Sequence, residues 1–114
     1  MMEDSSLSAV MRALADPTRR AIFERISRGG ELTVVDLTAG SGVTQGAVSQ
    51  HLKALKAAGL VVERPEGRRV FYRAVPQGLA PLATWFDHYG PFWQSRFADL
   101  RQLLQQLDPK EPSQ

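Results

Sequence analysis

A chain of 114 residues, 43% hydrophobic and 23% charged, has the mix of one globular domain, small enough that pairing with a second copy would help it bury apolar surface. With no cysteine it can form no disulfide, thiolate metal site or thiol redox sensor, and with no long apolar run and no basic-then-apolar leader it is expected in the cytoplasm, off the membrane. The net charge is only +2, but residues 44–75 hold six cations against two anions, a local +4, while the segments on either side each sum to −1. A basic third between slightly acidic flanks is the electrostatic footprint of a surface that meets nucleic acid.

Met1 to Ser6 is polar and expected to fray. Leu7, Val10, Met11 and Leu14 then share one side of a first helix. Asp16-Pro17 opens a second: Asp caps it, and Pro at the first helical position loses nothing, because its missing N–H would have been unpaired. Ile22, Phe23 and Ile26 form its buried side, Arg19, Arg20, Arg25 and Arg28 its wet side, and Gly29-Gly30 stops it. Arg19 and Arg20 could reach phosphate, although a solvated face explains them equally well. Glu31 to Ala39 reads as a short third helix with Thr33 as a cap, ended by Gly40-Ser41-Gly42.

The stretch from Thr44 to Leu60 is the one most strongly shaped for an outside partner. Thr44 suits the N-cap and Gly59 the position after the helix, where a left-handed backbone is needed. Val48, Leu52 and Leu55 fall on one face; Gly46, Ser49, Gln50 and Lys53 fall on the other, with Gln45 near the cap. That second face is short, polar and able to hydrogen-bond, suited to base edges and phosphates. Two helices joined by a Gly-containing turn, the second with such a face, make a helix-turn-helix, whose second helix enters the major groove. Thr44, Gln45, Ser49 and Gln50 are therefore expected at the DNA, with Lys53 on phosphate and His51 either packed or close to the duplex.

After Gly59 the pattern becomes β-branched and aromatic. Residues 60–64 and 69–75 read as two strands joined by Pro65-Glu66-Gly67, a hairpin tipped by Arg64, Arg68 and Arg69. Three arginines around one turn exceed what protecting a strand edge requires, so they are expected to contact phosphate. From Leu82 onward, Leu82, Phe86, Tyr89, Trp93, Phe97, Leu100, Leu104 and Leu107 step by threes and fours, flanked by Trp85, Phe92 and Leu103. Pro91 interrupts this stripe, which nevertheless keeps phase from Tyr89 to Trp93 and predicts one kinked helix rather than two. The stripe has more apolar surface than one protomer can cover. A symmetric dimer is expected through Leu7, Val10, Met11 and Leu14 together with Trp85, Phe86, Tyr89, Phe92, Trp93, Phe97, Leu100 and Leu104. The tail from Asp108 is expected to be disordered.

With these residues assembled, the chain resembles the ArsR-type family of winged-helix repressors. The matching segments are Leu14-Ala15-Asp16-Pro17-Thr18-Arg19-Arg20, Gln45 to Leu52, Leu55 to Leu60, and Glu66-Gly67-Arg68-Arg69-Val70-Phe71-Tyr72. The resemblance implies a homodimer that binds a palindromic operator in double-stranded DNA and blocks transcription until an inducer lowers its affinity. It departs from the family at the inducer site. Metal-sensing relatives carry Cys-Val-Cys in the third helix, where this chain has Thr33-Val34-Val35; others use Asp and His of the terminal helix with a later His, which is absent here. Adjacent Asp87 and His88 lie about 100° apart on a helix and cannot chelate from one face. No metal and no cofactor is expected, and the inducer is expected to be non-metal or unknown.

No nucleophile–base pair, spaced carboxylate pair or phosphate-binding glycine loop points to an enzyme. The expectation is thus a mainly α protein with a β-hairpin wing. Residues 1–107 form one winged helix-turn-helix domain, with a DNA-binding core at 7–75 and a dimerisation helix at 79–107, and 108–114 form the tail. Two alternatives remain: a metal-responsive repressor with an atypical His/carboxylate site, and an interaction module that kept the fold but lost DNA binding.

Overall fold

Side-chain caps and glycines fix where the helices start and stop. The computed structural model describes residues 2–107; the tail expected to be disordered from Asp108 lies outside the described residues. Helix α1 (Met2–Ala15) begins five residues before the expected Leu7. Helix α2 (Pro17–Gly29) is capped by Asp16, whose carboxylate accepts from the Arg19 N–H at 3.0 Å. Helix α3 (Val34–Thr38) starts with a reciprocal box. The Thr33 hydroxyl accepts from the Asp36 N–H at 3.1 Å, and the Asp36 carboxylate from the Thr33 N–H at 3.0 Å.

Helix α4 (Gln45–Ala57) is capped by Thr44, which accepts from the Ala47 N–H at 3.1 Å. Its far end is a double closure: the Leu60 N–H reaches the Leu55 carbonyl at 2.9 Å and the Gly59 N–H the Lys56 carbonyl at 3.0 Å. This closure requires the left-handed φ of 78° that Gly59 adopts.

The expected hairpin is a three-stranded antiparallel sheet. Strand β1 (Glu31–Leu32) pairs with the central β3 (Arg69–Ala74), which pairs with β2 (Val61–Glu66). Glu31 and Leu32, expected in the third helix, extend instead because Thr33 caps that helix and its first turn starts at Val34. The turn also moves, from Pro65-Glu66-Gly67 to Gly67-Arg68. Pro65 stays in β2 opposite Val70, which is tolerable because β2 is an edge strand whose missing N–H costs no ladder bond.

The core gathers Ile22, Phe23 and Ile26 of α2, Leu37 of α3, Val48, Leu52 and Leu55 of α4, and Leu60 and Val61. From α1 it takes Val10 and Ala13. Val10 is 2% exposed, so this residue, expected at the dimer seam, is used up within the protomer, while Met11 next to it stays exposed. The α2 arginines are less free than a solvated face implies. Arg20 donates to the Leu14 carbonyl at 2.7 Å and Arg25 to the Leu37 carbonyl at 3.3 Å, each serving a carbonyl near the end of a helix.

A 3₁₀ turn (Pro76–Leu79) follows β3 and leads into α5 (Ala80–Asp87). Gly78 is required here: a Cβ on it would lie 2.1 Å from the Gly59 carbonyl oxygen. The terminal stripe is divided between two helices, α5 and α6 (Gly90–Leu107), not carried by one kinked helix. Pro91 has no N–H for the Asp87 carbonyl, and it falls in the first turn of a new helix, where that lack is harmless. The chain forms two compact units, one running to Ala83 and the other from Thr84. In the second, Phe86 and Trp93 stack at 5.7 Å and Trp93 and Phe97 at 6.0 Å, yet no residue of α5 or α6 is buried.

Candidate nucleic-acid interface

Helix α4 is held by one face and offers the other. Val48, Leu52 and Leu55 are 0%, 1% and 0% exposed, which fixes the helix against rolling; Gln45, Gly46, Ser49, Gln50 and Lys53 all face solvent. Helix α3 packs against α4 across a turn in which Gly40 and Gly42 have positive φ. This is a helix-turn-helix with a polar, unobstructed second helix. Among the described residues Lys53 makes no hydrogen bond or ion pair, so its ammonium is available to phosphate.

His51 lies at the rim of that face. It is half-buried, and its ring accepts from the Arg19 Nε at 3.4 Å across to the first turn of α2. That bond links α4 to α2 through Nδ1 and, among the described residues, leaves the other ring nitrogen without a hydrogen bond. The Asp16 carboxyl beside this pair is held below its ordinary value, first by the Arg19 N–H and also by nearby His51.

The three arginines of the wing part company. Arg68 occupies the turn itself and Arg69 the first position of β3, both exposed and, among the described residues, without an ion pair. Arg64 is committed elsewhere. Its Nη2 meets Glu31 at 2.6 Å, its Nε lies 3.1 and 3.2 Å from the two Glu31 oxygens, and its Nη1 donates to Glu66 at 2.6 Å. Position 64, expected to grip phosphate, is held by two carboxylates in the free protein. Those bonds push the guanidinium pKa above its usual value and hold the Glu31 carboxyl below its own. Sequence reasoning missed Glu31 as a partner because it lies 33 residues away on a strand not foreseen. On the sheet's other face, burial raises the Tyr72 hydroxyl pKa, with Glu63 adding to it.

Among the described residues no three His, Cys, Asp or Glu side chains gather, and Thr33, the first of the three residues standing where metal-sensing relatives carry Cys-Val-Cys, caps α3. Nor, among the described residues, is any helix long and apolar enough to cross a membrane.

Known proteins carry the same pattern. Residues 14–64 match a family model described as a helix-turn-helix domain. The HTH-type transcriptional regulator Rv2034 of Mycobacterium tuberculosis is 47% identical over 93 residues, spanning 82% of this chain and 83% of that protein. An ArsR-like transcriptional regulator from Rhodococcus superposes with a TM-score of 0.71 at 31% identity, covering 90% of this chain and 96% of its own. A homodimeric winged helix-turn-helix DNA-binding domain from Mycobacterium bovis, a possible ArsR-family regulator, does so with a TM-score of 0.61 at 30% identity, over 76% of this chain and 80% of its own. With a capped, outward-facing α4, a three-stranded wing and relatives matching over most of both lengths, the chain belongs to the ArsR family of winged helix-turn-helix transcriptional regulators.

Proposed function

We propose that the chain is a homodimeric repressor that binds an inverted-repeat operator in the cytoplasm, with no catalytic activity of its own. The observation that carries this reading is the exposed face of α4, where Gln45, Ser49 and Gln50 are short polar groups held at fixed positions by a fully buried opposite face. Glutamine can pair bidentately with adenine in the major groove, and serine bonds with several base edges. Lys53, Arg68 and Arg69 supply charge to phosphates on either side. Thr44 contributes by capping the helix, which fixes where its first turn points.

Two copies follow from the reach of one. A single recognition helix covers a few base pairs; two related by a two-fold axis meet successive major-groove faces about 34–36 Å apart. The exposed aromatics Trp85, Phe86, Tyr89, Phe92, Trp93 and Phe97, with Leu100 and Leu104, supply the self-complementary apolar surface, joined by Leu7, Met11 and Leu14 of α1. The M. bovis relative is itself homodimeric. The inducer is non-metal or unknown: the chain has no cysteine to supply thiolates, and of its two histidines His51 stands on α4 and His88 in the turn after α5.

The test starts with a duplex selected from random-sequence DNA. Gln50→Ala should cost about 1–3 kcal/mol on that duplex and relax its specificity at one position, whereas Arg68→Ala should weaken all sequences alike. A Gln50→Ala protein with unchanged affinity and specificity would show that α4 is not the reading helix.

A further inference from the structure

We infer that Arg64 is a positioning residue, a strap across the wing that sets where Arg68 and Arg69 stand, and not a phosphate ligand; this rests on the DNA-binding reading above. Directly paired residues share a face of a sheet. The register places Glu31, Arg73, Phe71, Arg64, Glu66 and Arg69 together on the outer face. Arg64 leaves the edge strand β2, passes over the Phe71 ring of the central strand at 5.0 Å and ends in a two-pronged bond on Glu31 of β1. One side chain therefore spans all three strands.

Two features give the strap a use. Strand β1 has only two residues, too few ladder bonds to hold it firmly, and it runs straight into the Thr33 cap of α3. Arg64 thus couples the wing to the first helix of the helix-turn-helix. The guanidinium of Arg69 lies 5.6 Å from the same Phe71 ring. Ring and strap together define the surface from which the free cation projects. The charge is also spent: a phosphate would have to displace Glu31 and Glu66 to gain Arg64. Both partners are partly exposed, with side-chain exposures of 48% and 33%, so the pair adds little to global stability. Its effect is on geometry.

The chemistry of the strap separates it from a phosphate contact. Lysine keeps the charge but has neither the planar fork for a two-pronged bond nor the flat face for the ring. Operator affinity of the full chain, measured against salt on the selected duplex, should fall about tenfold in both Arg64→Ala and Arg64→Lys, with melting temperatures near that of the parent. The slope of log affinity against log salt should fall alike in both, because misplaced Arg68 and Arg69 lose phosphate whether or not position 64 keeps its charge, and Arg68→Ala should lower it by about 0.9. Glu31→Gln should also weaken binding, although it removes a negative charge close to DNA. The inference is overturned if Arg64→Lys binds like the parent, if Arg64→Ala lowers the slope and Arg64→Lys does not, or if Glu31→Gln binds more tightly. Amide exchange of the free protein decides the strap without DNA. Arg64→Lys should speed exchange in β1 and leave α2 alone, and unchanged exchange would overturn it. A parent protein that ignores salt and sequence would instead refute the DNA-binding reading.

Discussion

Helices α4 and α6 carry the same kind of apolar stripe and meet opposite fates. In α4 the stripe residues Val48, Leu52 and Leu55 are fully buried; in α6 Trp93 is 36% and Phe97 52% exposed, and Leu107 reaches 70%. Periodicity tells which residues share a face but not what covers that face. The α4 stripe has α2, α3 and β2 against it. In the α6 stripe Trp93 stacks on Phe86 and Phe97 within the same unit, and an exposed aromatic surface of this extent marks an interaction site. One stripe stabilises the protomer, and in the proposed dimer the other is covered by a second copy.

The largest effect should come from breaking the exposed stripe. Trp93→Ala, made twice across a two-fold interface at about 2 kcal/mol or more per hot spot, should turn the dimer into monomer in sedimentation. Affinity for a full inverted repeat should then collapse, while weak half-site binding hardly moves. If Trp93→Ala stays dimeric with full affinity, Trp93 does not belong to the seam, and the contrast between the two helices fails at its main point.

Leu52→Ala tests the buried stripe. Truncating a core leucine costs about 2–5 kcal/mol, so unfolding should shift strongly to lower denaturant, while the folded protein at 25 °C stays dimeric. A Leu52→Ala protein that dissociates without losing stability would mean the two stripes are not independent.

Gly78→Ala tests the joint inside the first unit. Its new methyl would drive into the Gly59 backbone, which cannot swing aside as a side chain can. Overpacking of this kind costs about 1–3 kcal/mol, seen as a lower melting temperature with the dimer intact. A neutral outcome would show that the turn after β3 yields easily.

The smallest effect is electrostatic and confined to the first unit. Asp16 and Asp36 are held below the ordinary carboxyl value of 3.8, chiefly by the Arg19 and Thr33 N–H groups, and Glu31 below 4.5 by Arg64. A depressed folded pKa gives stability that is present above the unfolded value and lost as pH falls through the folded one. Stability should therefore begin to decline below about pH 4.5, and Asp36→Asn should make that decline shallower. An unchanged acid profile in Asp36→Asn would mean that the box at Thr33 contributes no pH dependence.

The amino-acid sequence by itself determined most of what depends on near neighbours. Asp16-Pro17, Thr33 and Thr44 begin helices because a side-chain oxygen three residues back suffices to cap a first turn. Gly59 ends α4 because only a left-handed backbone closes both bonds there. The polar face of α4 and the arginine-rich turn were legible for the same reason, since helical spacing and turn chemistry are local. What only the tertiary structure decided were distant pairings and the competition for each group. Glu31 became a strand residue and Arg64 its captive because β3 lies between them. Val10 went to the core while Met11 did not, because α2 covers one side of α1. The split of the terminal stripe at Pro91 was local but misjudged, because a backbone hydrogen bond missing at one residue outweighs a periodicity that many residues share.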